Sequence, residues 1–367
     1  MLIRKYSLII IAFAFFSCCT RKQSSSPDYM VLDQIVFATK FSQEIQLFDS
    51  DKIEMDETIG ALNFTSVDSL LIFSTSNSAG MWSFFSNLKY EWRGRFLLRG
   101  NGPNEFVQTP TVGAKTSFYT KDNEFFASIY DFTKGKVYVM NISRTLGENK
   151  LVIRLINDEL PPFLSSLIMI DSVTFFCREV SKDQSKEERF LLKNGVRNVP
   201  DVLNKLNKAV MSAEATSVQA AIIKRNGNNE RFVEVPLNLN YINIYSIDGA
   251  FAKTICTQNR LDNISDVQKQ KTQDRIYRHA DLQIYDYFFG VLCIDEEWKM
   301  MQTERKKLPV VQFFNMDGKP LVKLTLNNFA TSFSIDINNG YLYTFDFVTS
   351  EFYRYDIQNI VRNYFRF

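Results

Sequence analysis

Histidine is almost missing from this chain: His279 is the only one among 367 residues. Its scarcity excludes any metal site built on two histidines and leaves one candidate for any imidazole-based triad. Cysteine is sparse too, with five residues and neither a CxxC nor a zinc-type spacing. Cys177 and Cys293 sit in apolar, strand-like runs (TFFCRE and GVLCID). A disulfide is open to Cys177, Cys256 and Cys293 in an oxidising compartment, but the preferred reading is buried free thiols acting as small hydrophobes. Neither sign of charge is in excess: Lys+Arg 43 against Asp+Glu 41 leaves a net +2, so no electrostatic case for nucleic acid arises. Glycine, at 14, is too rare for a collagen-like or Gly/Ser-linker chain. What is abundant is apolar and aromatic: 45% hydrophobic, with Phe 33 and Tyr 16, enough to bury a large core. The length admits two or three ordinary domains or one large all-β domain.

The first residues read as an address. Arg4 and Lys5 precede an almost unbroken apolar run from Ser7 to Ser17, right for a secretory h-region and shorter than the ~20 residues of a membrane span. The run stops at Ser17-Cys18, which resembles the lipobox of bacterial lipoproteins. That resemblance implies cleavage before Cys18 and acylation of Cys18, with residues 1–17 as signal peptide. Phe15 and Phe16 depart from the usual pattern, and Cys19 is a rival site that would place Cys18 at the cleavage position. Residues 18–30 form a polar, Pro-containing tether without an acidic run. The expectation is an envelope protein held to the membrane by its N-terminal lipid, periplasm-facing on the outer membrane.

From residue 31 to 367 the chain reads as one β domain. Short aromatic and β-branched runs alternate with Asn/Asp/Gly/Ser turns. Asn226-Gly227 signals a hairpin, and Asp248-Gly249 and Asp317-Gly318 read as turns with positive φ. The runs also repeat. YDFTKGKVYVMNI (130–142) aligns on FDFVTSEFYRYDI (345–357), IYSIDGAFAKTI (244–255) on FFNMDGKPLVKL (313–324), and VDSLLIF (67–73) on IDSVTFF (170–176). One β unit used several times points to a propeller; a solenoid would need a shorter, stricter period. At ~40–45 residues per blade the arithmetic suggests seven or eight blades, fewer if loops are long. Val202, Leu203, Leu206 and Val210 stand at helical spacing within 201–211, which predicts a short amphipathic helix; residues 262–274 read as a second.

The most specific body motif is Gly100-Asn101-Gly102-Pro103-Asn104-Glu105-Phe106, after a strand and turn. With the later blade-like segments it resembles the TolB-like six-bladed β-propeller lipoproteins, over nearly the whole mature chain. The resemblance implies six four-stranded antiparallel blades, the last closed by strands shared with the N-terminus. Gly100, Gly102, Pro103, Glu105 and Phe106 are read first as a structural loop, with glycines for unusual backbone angles and Glu105 accepting from loop amides.

Three functions are weighed, among them a scaffold in an envelope complex to which the helix at 201–211 would dock. One is a binding module for a protein, peptide or glycan, with no cofactor and no nucleic acid. The alternative is a calcium-dependent, lactonase- or esterase-like hydrolase with acidic ligands converging on the channel. Most aspartates recur at equivalent blade turns, which argues for structure. His279 and Asp281 are the non-repeated pair, placed on one face if the strand is regular; no nucleophile elbow accompanies them. Trp82 is expected to be packed and Trp298 to be the best-exposed tryptophan for ligand stacking.

Overall fold

In a computed structural model, which describes residues 21–22, 26–55, 58, 60–113, 115–212, 218–228 and 230–365, six β-sheets stand as blades around one axis. Blade I comprises Ala61–Val67, Leu70–Thr75, Trp82–Ser86 and Trp92–Phe96. Blade II comprises Thr116–Lys121, Glu124–Asp131, Lys136–Asn141 and Ile153–Asn157. Blade III comprises Ser166–Met169, Thr174–Val180, Glu187–Lys193 and Val196–Asn198. Blade IV comprises Ala221–Arg225, Arg231–Pro236, Tyr241–Ser246 and Ala252–Cys256. Blade V comprises Ile276–Ile284, Phe288–Glu297, Val310–Asn315 and Pro320–Thr325. Blade VI takes Ser332–Asp336, Tyr341–Asp346 and Glu351–Asp356 from the C-terminal part, and its fourth strand, Asp51–Lys52, from the N-terminal part. This is a six-bladed propeller. The blade arithmetic of seven or eight overcounts because the described stretches 199–212 and 257–275, and residues 31–50, lengthen the path without adding a blade.

The three sequence alignments fall on equivalent places. Residues 130–142 and 345–357 each contain a second-to-third-strand turn, 244–255 and 313–324 a third-to-fourth, and 67–73 and 170–176 a first-to-second. Gly249 and Gly318 take φ of 75° and 82°, the left-handed region their turns require.

The aromatic richness follows from geometry. A blade is covered on both faces by its neighbours, so adjacent residues of one strand enter different cores. Phe175 packs between blades II and III while Phe176 packs between III and IV. Phe313 serves the V–VI interface and Phe314 the IV–V interface. Six apolar clusters fill the six gaps between blades. The VI–I gap closes the ring with Phe64 edge-on to Phe352 at 5.1 Å.

Before reaching blade VI, the N-terminal chain straps the outside. Gln34–Phe37 lies parallel on the outer strand of blade IV, and Gln43–Gln46 parallel on that of blade V. Residues 1–17, Cys18 and Cys19 lie outside the described residues.

The helix read at 201–211 is α2, Asp201–Leu206 after α1 (Ile142–Glu148), and it is shorter than its apolar spacing suggests. It stops because Asn207 turns inward, accepting from Arg189 N at 2.8 Å and donating to Arg189 O at 2.9 Å. Val202, Leu203 and Leu206 pack on blades III and IV, but Val210 is exposed and Ala209 and Met211 are buried instead. The 262–274 stretch holds α3 (Ile264–Gln268), capped by Asn263, and a 3-10 turn at Thr272–Asp274.

Candidate functional site at the propeller axis

The innermost strands of all six blades border one cavity of about 450 Å³ on the axis. Its walls carry Thr65 and Ser66 from blade I, Ser117 and Phe118 from II, Ile168 from III, Lys224 from IV, Gln283 and Tyr285 from V, and Ser334 from VI.

The most distinctive group inside is the Lys224 ammonium. It donates to Gln283 Oε1 across the gap to blade V, at 2.9 Å. Gln283 is itself oriented, since its Nε2 donates to Asp281 Oδ2 at 3.0 Å. Asp281 also accepts from Leu282 N at 2.8 Å and, from blade VI, Phe333 N at 3.1 Å. Its carboxylate is therefore a clip between blades V and VI. Burial pushes the Asp281 carboxyl above its ordinary range, against the pull of Lys224 and the three donors. Burial likewise pushes Lys224 below the ordinary lysine range, opposed by Asp281. No other hydrogen bond of Lys224 is formed among the described residues, so up to two of its three N–H donors remain for the cavity.

The carboxylates at the rim, Asp68, Asp286 and Asp336, all stand at first-to-second-strand turns. Asp336 is spent on Asn87 Nδ2 (2.7 Å), Asn339 N (3.0 Å) and Asn339 Nδ2 (2.6 Å). Asp131, Asp171 and Asp346 likewise accept from their own turn amides. Among the described residues no group of three His, Cys, Asp or Glu side chains is arranged to hold a metal ion.

His279 and Asp281 do not form a pair. A β-bulge sets two residues of the inner strand against one of its partner: His279 faces Cys293 and Asp281 faces Leu292. The extra residue turns the two side chains apart, which the regular i, i+2 rule does not allow for. The imidazole instead contacts Pro236 O through Nδ1 at 2.6 Å, buried against blade IV; a carbonyl only accepts, so Nδ1 carries the proton.

The glycine motif is a folded loop docked on blade II. Glu105 Oε2 accepts from Gly102 N at 2.8 Å, Lys134 Nζ donates to the Glu105 carbonyl at 2.7 Å, and the Tyr138 hydroxyl donates to Pro103 O at 3.1 Å. Phe106 is buried, edge-on to Tyr138. Neither Gly100 nor Gly102 takes a left-handed φ; what each supplies is room. A Cβ at Gly100 would sit 2.0 Å from Glu105 Oε2, and one at Gly102 would sit 2.9 Å from it.

Trp82 is packed, as expected, with its indole N–H on Pro110 O at 2.7 Å. Trp298 opens helix α4 (Trp298–Thr303) at 38% exposure, edge-on to Tyr277; Trp92, at 41%, is slightly more exposed. Neither tryptophan lines the axial cavity. Cys177, Cys256 and Cys293 are buried free thiols; burial pushes Cys177 up to about 12 and Cys256 to about 11, which keeps them protonated and inert.

Sequence reasoning missed a second set of buried charges. Between blades III and IV, Arg189 Nε donates to both Glu234 oxygens at 2.9 Å, and Arg178 pairs with Glu187 at 2.8 Å. Arg189 also holds Asn207 behind α2 and contacts Met30 of the strap, so this cluster locks insertion and strap to the blades.

The fold defines the class: a six-bladed β-propeller with a cavity on its axis. No family model and no curated protein matches the chain. Among solved structures, a member of the DUF4221 family from Bacteroides vulgatus shares the fold with a TM-score of 0.50 and 11% identity, over 84% of this chain and 96% of that one. The hydrazine synthase of Kuenenia stuttgartiensis gives a TM-score of 0.45 and 13% identity, over 83% of this chain and 79% of that one. At such identities the likeness is one of fold.

Proposed function

We propose that this chain is a lipid-anchored interaction module of a bacterial envelope, tethered through Cys18 and receiving its ligand in the axial cavity. The observation that carries the second half is the convergence of six inner strands on one polar recess holding an amine with unspent donors. The first half rests on the basic n-region, the apolar run and Ser17-Cys18, and on the TolB-like glycine motif. Two or more acyl chains, at ~0.8 kcal/mol per buried CH₂, make a lasting anchor. The missing acidic run after Cys18 favours a periplasm-facing position.

The calcium-dependent hydrolase finds no such support. Its oxygen ligands would have to come from rim carboxylates, and the buried one, Asp336, is already spent on turn and neighbouring amides.

Two variants of the full chain test the proposal. Cys18→Ser is expected to lose metabolic palmitate label and to leave the membrane fraction. Ser117→Trp, filling the cavity from blade II, is expected to keep the melting temperature within a few degrees and to lose ligand capture. Retained label in Cys18→Ser contradicts the anchor; retained capture in Ser117→Trp contradicts the seat.

A further inference from the structure

We infer that the axial cavity recognises a hydroxylated monocarboxylate, of the uronic-acid kind, with Lys224 as the carboxylate's partner. The inference rests on the cavity being the ligand seat. Lys224 is half-buried and attracted through space by Asp281, but no hydrogen bond joins the two: the carboxylate accepts from Leu282 N, Phe333 N and Gln283 Nε2. The strand-to-strand relay through Gln283 fixes one Nζ–H and leaves the others for the cavity. A desolvated ammonium with unspent donors gains most from an anionic acceptor, since charge-assisted hydrogen bonds are about twice as strong as neutral ones. With Asp281 nearby, Lys224 offers at most one positive charge, which matches a carboxylate better than a phosphate dianion. The other cation at the wall, Arg225, is directed to Glu230 at 3.7 Å.

The rest of the wall fits a polyol. Thr65, Ser66 and Ser117 contribute hydroxyls, and Ser66 Oγ is a buried oxygen that makes no hydrogen bond among the described residues, whereas Ser334 Oγ is spent on Ser66 O and Ser66 N. The rim carboxylates Asp68 and Asp286 are placed to accept hydrogen bonds from ligand hydroxyls and repel a ligand that is anionic throughout. A charged end for the depth and hydroxyls for the wall and rim describe a sugar acid. The volume, about 450 Å³, lies within the range of roughly 300–1,000 Å³ usual for small-molecule sites.

Calorimetric titration of the full chain in detergent with galacturonate, galactose and acetate tests this. Galacturonate is expected to bind about tenfold or more tighter than either galactose, which lacks the charge, or acetate, which lacks the hydroxyls. Lys224→Met is expected to weaken galacturonate about tenfold and leave galactose unchanged. Lys224→Arg, which keeps the charge, is expected to stay within a few-fold of the parent. Melting curves on each variant separate lost binding from lost folding. Equal affinity for galactose and galacturonate, binding of acetate as tight as galacturonate, or galacturonate affinity untouched by a folded Lys224→Met, overturns the inference. Absence of galacturonate binding also overturns it, yet the seat itself then stands or falls separately with Ser117→Trp.

Discussion

At the residue scale, side chains in this protein are decided by what little space or water is left around them. Gly100 is a glycine because the Glu105 carboxylate occupies the place of its Cβ. Gly100→Ala therefore displaces Glu105 from Gly102 N, and Glu105→Ala removes the same bond. Each is expected to cost about 1–2 kcal/mol. Because both act through one contact, the double variant should cost little more than either alone, which denaturant melts in a double-mutant cycle will read. Full additivity contradicts the docked-loop account. The motif was legible as a loop, but not why glycine is needed: a steric demand made five residues away leaves no local mark.

His279 shows the same limit. The chain reads as a regular strand through IYRHADLQI, and a bulge carries no side-chain signature, so the pairing with Asp281 was expected and is absent. Burial holds the His279 pKa below the ordinary value, opposed by the Pro236 carbonyl and by Asp295, with Arg278 adding to the depression. A folded pKa below the unfolded ~6.5 means this group's contribution to stability is whole above that pH and is lost as pH falls through the folded value. As the chain has one histidine, the assignment is clean. The fall in melting temperature between pH 7 and 5.5 is expected to flatten in His279→Gln; an unchanged slope contradicts it.

At the scale of elements, the repeat was the strongest signal, because several blades reuse a turn with aspartate at the same place, as at Asp131 and Asp346 and at Asp248 and Asp317. The elements that escaped reading are those with few residues or with a role set from outside. Helix α1 follows directly on a strand, and its signal was there: Asn141 caps it through Arg144 N, and Asn149 ends it in the left-handed region. The strap strands QIVF and QEIQ are too short to show a period, and nothing in them names blades IV and V as partners.

The strap is held by side chains of blade IV. Met30 N donates to the Tyr241 hydroxyl at 3.1 Å, Asn243 Nδ2 donates to Met30 O at 2.9 Å, and Leu32 N donates to Thr254 Oγ1 at 2.8 Å. Tyr241→Phe leaves the Met30 amide buried without its acceptor, at a cost of about 1–3 kcal/mol. Amide exchange is expected to quicken over residues 28–37 and to stay unchanged in blade II. Equal quickening in both would place Tyr241 in the common core and contradict a separate strap.

At the scale of the molecule, six two-faced blades make a closed ring whose last blade is completed by a strand from the N-terminal part of the chain. Closure leaves an axial recess bordered by all six blades, and this convergence was beyond the sequence. AIIKR reads as an ordinary half of a hairpin, and Lys224 becomes distinctive only when Gln283, from a strand about sixty residues on, arrives beside it.

The central claim is that the ligand enters this recess. Hydrogen–deuterium exchange of the full chain, with and without an envelope extract containing the ligand, tests it most directly. New protection is expected at the inner-strand ends 65–68, 223–225 and 283–286, with the outer strands of the blades unchanged. Protection confined to outer strands or to the loop 100–106, with the inner-strand ends unmoved, would contradict the account.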